Sequence, residues 1–109
     1  MATSYKVLGQ SAPAASTLTT VYTVPSSTET VISTISVCNL GSGPTTYRIA
    51  IRPNAESIED KHYIAYDTSI APQDTTTLTM GITLNAADVI TVSSDNGKVA
   101  FNLFGSEIA

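Results

Sequence analysis

The 109-residue chain is short of charge, has one cysteine and one histidine, and lacks tryptophan altogether, and each shortage closes a class of function. Five Lys and Arg stand against nine Asp and Glu, giving a net charge of −4 and a pI near 4.6. A nucleic-acid binder neutralises phosphates with clustered basic side chains. Here the five are spread from Lys6 to Lys98, so no nucleic-acid partner is expected. A lone Cys38 cannot close an intramolecular disulfide, so the fold does not depend on an oxidising compartment. No stretch approaches the roughly 20 apolar residues of a membrane span. The first 16 residues, MATSYKVLGQSAPAAS, contain no unbroken apolar h-region, so neither a membrane partner nor export by a signal peptide is expected.

Charged residues make up 13% of the chain, against about 25% in an ordinary globular domain. The polarity is carried by threonine and serine. Neutral hydroxyls can cover the outer face of a sheet, or they can mark surface buried against other subunits, where ions are disfavoured. Assembly is the reading taken forward, with a homo-oligomer as the expected state.

What the chain does contain is alternation. Val31, Ser33, Ile35 and Val37 share one face of an extended run and Ile32, Thr34, Ser36 and Cys38 the other, the first set being the expected core face. Tyr47, Ile49 and Ile51 alternate with Arg48, Ala50 and Arg52, and Asn39 to Pro44 between the runs supplies two glycines and a proline. Together Thr30 to Arg52 predicts a long antiparallel hairpin at the centre of the domain. Further strands are predicted over Thr17 to Val24, His62 to Ile70, Thr75 to Leu84 (with Leu78, Met80 and Ile82 facing in) and Val89 to Ser94. Asp95-Asn96-Gly97 reads as a tight turn that pairs Val89–Ser94 with Lys98–Phe104 in a second hairpin. Pro53 to Asp60 has room for a single helical turn. The sum is a single-domain, all-β antiparallel sandwich or jelly-roll-like barrel of about eight short strands. Residues 17–109 form this domain, and residues 1–16, with a short strand at Tyr5 to Leu8, are expected as an extended N-terminal arm.

No catalytic constellation is legible. A nucleophile needs a base held by a third group. His62 is the only imidazole, no Gly-x-Ser-x-Gly elbow is present, and Cys38 inside an apolar strand reads as a small hydrophobe. The expectation is therefore a protein that is not an enzyme and takes no cofactor. Glu56, Glu59, Asp60 and His62 are the densest group of metal-ligand types, but their spacing fits no zinc or EF-hand pattern, and a solvated acidic loop is the expected reading. The residues expected at a partner interface are Tyr5 and Leu8 in the arm, and Arg48 and Arg52 on one strand face, which can equally pair with carboxylates of a neighbouring strand. Tyr63 and Tyr66, an aromatic pair suited to a glycan, and Phe104, which alternation sends outward, complete that set.

The succession LGQSAPAASTLTTVYTVPSSTETVISTISVCNL, then TYRIAIRP, KHYIAYD, GITLNAADVITV and VAFNLFGSEI, spans nearly the whole chain. It resembles a family of small virion proteins of tailed bacteriophages, cyanophages among them. The resemblance implies a structural role in the particle, as a capsid decoration or cement protein bound to the major capsid protein or other virion subunits. A tail, neck or fibre accessory module that binds receptor or carbohydrate is the alternative. On resemblance alone the oligomer would be a trimer and the location the virion, assembled in the host bacterial cytoplasm. No residue roles carry over from the family.

Overall fold

The computed structural model describes residues 2–109. Its strands are β1 (Thr3–Ser11), β2 (Thr19–Thr23), β3 (Glu29–Asn39), β4 (Thr45–Arg52), β5 (Tyr63–Ile70), β6 (Thr75–Leu84), β7 (Val89–Ser94) and β8 (Val99–Ile108). Two short 3-10 turns, Pro53–Ala55 and Asp60–His62, stand where one helical turn was expected. The strands form two four-stranded antiparallel sheets, ordered β1-β8-β3-β6 (sheet A) and β2-β7-β4-β5 (sheet B). The expected all-β sandwich is what the chain forms. Among the described residues, only β4 to β5 connects neighbours within a sheet, and every other connection crosses between sheets. That wiring is the jelly-roll arrangement.

Both hairpins expected from the sequence are corrected by this topology. β3 and β4 belong to different sheets, as do β7 and β8. The glycines, proline and asparagines specify that the chain reverses, but not whether it returns in the plane of the sheet or across the sandwich. A side chain settles it for the first loop. Asn39 is fully buried, and its Nδ2 donates to the carbonyls of Gly43 (2.9 Å) and Ala71 (3.1 Å). Its Oδ1 accepts from the Gly41 amide at 2.9 Å and, more weakly, from Asn96 Nδ2 at 3.4 Å. The backbone joins in: Asn39 N donates to Asp74 O and Leu40 N to Lys98 O. One carboxamide thus ties together the loops β3–β4, β5–β6 and β7–β8 as they cross at one end of the sandwich. At the opposite end Asp88 does comparable work, accepting from the amides of Asn85 and Asn54, each at 2.9 Å.

Between these ends lies the core. Ile35, Val37, Phe101 and Leu103 from sheet A face Tyr47, Ile49, Ile90 and Val92 from sheet B, all of them buried. The Tyr47 and Phe101 rings meet edge-to-face across the gap, 6.2 Å between centroids. The core face of β3 is not the one that strict alternation gives. Ile35 and Val37 point in as expected, but in the first half Ile32 is buried while Val31 is half-exposed. The reason is a bulge at Ser33, where the pairing jumps from Ile32↔Gly105 to Thr34↔Phe104. An extra residue shifts the parity of everything before it. The same level of the sheet is broken in β1, between Val7 and Gly9, and in β6, which spends Met80 and Gly81 opposite one residue of β3. Met80, expected in the core, is therefore 48% exposed. Where this row of bulges crosses β8, a Cβ on Gly105 would lie 2.0 Å from Val31 O, so only glycine fits.

The segment expected as an arm is extended but not detached. Residues 3–11 pair with β8 along their length, and Leu8 packs on the core. The reason is its alternation: nine residues with an apolar side chain to bury complete a sheet whose edge would otherwise be β8.

Replacing Asn39 with Ala leaves the carbonyls of Gly43 and Ala71 and the Gly41 amide without their partners. We expect a loss of about 2–4 kcal/mol in urea unfolding, whereas Ser69→Ala, exposed on β5, should change stability by no more than about 0.5 kcal/mol.

Candidate interaction surfaces

The two outer faces of the sandwich differ in charge. On sheet A the cross-strand rows run from Tyr5, Ser106, Val31 and Thr83 at one level to Ala100, Cys38 and Thr75 at another. Between them lie Val7, Phe104, Thr34 and Thr79, then Gln10, Asn102, Ser36 and Thr77, and none of these residues is charged. Tyr5 is 84% exposed, Val7 49% and Phe104 38%. With Val31 and the half-exposed Lys6 they line a shallow depression of about 560 Å³. Gln10 Nε2 donates to Asn102 Oδ1 at 2.7 Å, a neutral cross-strand pair in the polar part of the face.

Sheet B carries charge instead. Arg48 of β4 makes a bidentate pair with Asp67 of β5, Nε to Oδ1 at 2.6 Å and an Nη to Oδ2 at 3.2 Å. The guanidinium holds the Asp67 carboxyl below the usual carboxylate range. It also lies over the Tyr66 ring, 4.1 Å from the centroid, while Tyr63 meets Tyr66 edge-to-face at 4.9 Å. An exposed aromatic ring takes a sugar by offering a free face; here Arg48 covers one. Arg52 has no carboxylate partner: it donates to the carbonyls of Glu56 and Ala55 and to Thr91 Oγ1, clamping the loop after β4.

Of the residues expected at an interface, Tyr5 and Phe104 fall together on the face of sheet A. Leu8 packs on the core, Arg48 takes the simpler of its two expected pairings, with a carboxylate of the neighbouring strand, and Arg52 holds loop carbonyls instead of a carboxylate. Tyr66 is 56% exposed but engaged, and Tyr63 is half-buried beside it. Sequence reasoning passed over Val7 and Val31. Val7 was legible as the alternation partner of Tyr5; Val31 was hidden by the bulge that moves it outward.

The acidic loop does come together: ligand atoms of Glu56, Glu59 and His62 lie within 4.8 Å of one another, without Asp60. The imidazole is already committed. Its Nδ1 accepts from the Glu59 amide at 3.0 Å, which places the proton on Nε2, and Nε2 donates to Glu56 Oε1 at 3.1 Å. With both ring nitrogens occupied, His62 is a buried strut that shapes the loop. Cys38, at the Asn39 end of β3, and His62, in the β4–β5 loop, stand at opposite ends of the sandwich and form no pair.

One charged cluster bridges the sheets. Tyr22 of β2 donates its phenol proton to Glu107 Oε2 of β8 at 2.5 Å, and with that proton spent the Thr30 hydroxyl of β3 donates to the phenol oxygen at 2.8 Å. Lys6 Nζ lies 2.6 Å from Glu107 Oε1. Lys6 first, then Tyr22, hold the Glu107 carboxyl below its ordinary value, while burial, reinforced by Glu107, pushes Tyr22 up to about 12. A lowered carboxylate stabilises the fold above its unfolded-state pKa, and that contribution fades as pH falls through the folded-state value. We therefore expect Glu107→Gln to cost about 1–2 kcal/mol at neutral pH. The gap to the unsubstituted protein should close in urea titrations carried below the ordinary glutamate value of about 4.3. A gap that stays constant down to acid pH would mean that the carboxylate charge contributes nothing.

Comparison with models of known protein families gives no match for this chain, and comparison with curated proteins gives none either.

Proposed function

We propose that this chain is a non-enzymatic structural protein of a tailed-bacteriophage virion, a decoration or cement protein that stabilises the head shell through protein–protein contacts. The observation that carries the reading is the outer face of sheet A, which is uncharged across its middle rows between Lys6 and Glu29 and exposes Tyr5, Val7 and Phe104 toward its β1 side, in a chain of net charge −4. The sequence resemblance to small phage virion proteins supports it. A sheet face with an aromatic and aliphatic patch on one side and hydroxyl and amide groups across the rest, with no charge in its middle rows, matches the composition of a protein interface, depleted of charge at its core. Each Å² of apolar surface removed from water contributes about 25 cal/mol. On a symmetric shell, modest contacts are multiplied by copy number. The partner on this reading is the major capsid protein or another virion subunit, and the location is the particle, assembled in the host cytoplasm. A fibre module that binds carbohydrate would need Tyr66 free, and Arg48 sits on its ring.

Cosedimentation with phage heads stripped of accessory proteins tests the reading. The protein should saturate heads at a defined number of copies per capsomer. The double substitution Tyr5→Ser, Phe104→Ser should weaken binding at least tenfold, about 1.4 kcal/mol, while the thermal unfolding midpoint stays close to that of the parent. Heads that take up none of the protein, or that bind both forms equally, would overturn the assignment.

A further inference from the structure

The sandwich is closed along one side and open along the other. On the closed side β1 runs against β2 so tightly that a Cβ on Gly9 would lie 2.3 Å from Val21 O. The open side presents the edges of β5 and β6. Natural edge strands are blunted by charge, proline or irregularity, because their unpaired amides and carbonyls are a template for another strand. β5 is blunted in these ways: its register with β4 breaks twice, Asp67 sits at a φ of 48°, and the Arg48–Asp67 pair stands on it. β6 is not. It holds no charged residue and no proline, and Thr75–Thr79 run in unbroken register with Cys38–Thr34 before the bulge at Met80 and Gly81. Thr75, Thr77 and Thr79 are exposed, and Leu78 is half-buried beside the core.

We propose that this edge binds a second copy of the chain, β6 against β6, antiparallel about a two-fold axis at Thr77. A two-fold contact must be self-complementary. This one brings no like charges together, which matters for a chain of net charge −4. Thr77 then faces Thr77 of the second copy, Thr75 faces Thr79 of the second copy, and Thr76 faces Leu78 of the second copy. The outward threonines form one cross-strand row, a favourable pairing of β-branched hydroxyl side chains. Each Leu78 gains cover from the other copy. The two A sheets become one eight-stranded sheet with a continuous neutral face. The proposal does not depend on the virion reading, and it gives two-fold rather than three-fold symmetry.

Light scattering and thiol crosslinking test it together. The unsubstituted protein should scatter at twice its chain mass. Thr77→Lys with Thr79→Lys should halve that mass, with far-UV circular dichroism unchanged and a cooperative thermal transition whose midpoint no longer depends on protein concentration. In a Cys38→Ser background, Thr77→Cys should form a disulfide-linked dimer under mild oxidation, because paired antiparallel Cα atoms lie about 4.5–5.5 Å apart, within disulfide reach. Thr68→Cys, exposed on β5, should not. The Tyr5→Ser, Phe104→Ser protein should keep the doubled mass whether or not it binds heads, which separates this edge from the face of sheet A. A parent at single-chain mass, a lysine variant that keeps the doubled mass, or equal crosslinking at Thr77 and Thr68 would overturn the proposal.

Discussion

Four loops carry the chain from one sheet to the other at the same end of the molecule, and the Asn39 carboxamide joins three of them, β3–β4, β5–β6 and β7–β8. A loop crossing a sandwich turns its carbonyls toward the interior, where an unpaired one costs about 1–3 kcal/mol. Asn39 offers both donors inward and takes the Gly41 amide in return, so the carbonyls of Gly43 and Ala71 keep partners where the loops cross. With that end fixed, β3 is committed to sheet A and β4 to sheet B. Every later strand then finds its neighbour across a large distance in sequence. The buried polar residue selects among ways of folding the same hydrophobic pattern, the role that buried polar groups best support.

The opposite end is held differently, by charge. Lys6, Glu107, Tyr22 and Thr30 link β1, β8, β2 and β3 through one carboxylate with a partner at each oxygen. Between the two ends the core is almost wholly apolar. The ionic groups lie in loops, on sheet B, at this one bridge and at Glu29 where β3 begins, which leaves the middle rows of the outer face of sheet A neutral.

Strand number, strand positions and the all-β class were legible because alternation and turn residues are local signals. The alternation of Val99, Phe101 and Leu103 placed Phe104 outward correctly. What was not legible depends on partners distant in sequence. Nothing in Asn39 to Pro44 distinguishes a hairpin from a crossing; the distinction lies in Ala71 and Asn96, which the loop meets only in the fold. The bulge at Ser33 is equally silent, since a serine inside alternating residues gives no sign that the parity changes there. Hence Val31 and Met80 were assigned inward, and half of the apolar face of sheet A was missed. Arg48 and Arg52 were recognisable as a charged strand face, but that one holds Asp67 and the other a loop needed the register of β4 with β5.

The pairing of β1 with β8 has a consequence for how the molecule is made. Strands laid down early in synthesis wait for partners laid down late: β1 has no neighbour in its sheet until β8 has left the ribosome, and β8 also separates it from β3. Long-range pairing of this kind folds slowly, because loop closure must precede the contacts that reward it. During that interval the threonine-rich β6 and the apolar β3 can pair with each other, a half-built sheet with one side open. Arrival of β8 closes the inner side of that half-sheet, while the outer side of β6 stays as open as it was before β8 arrived.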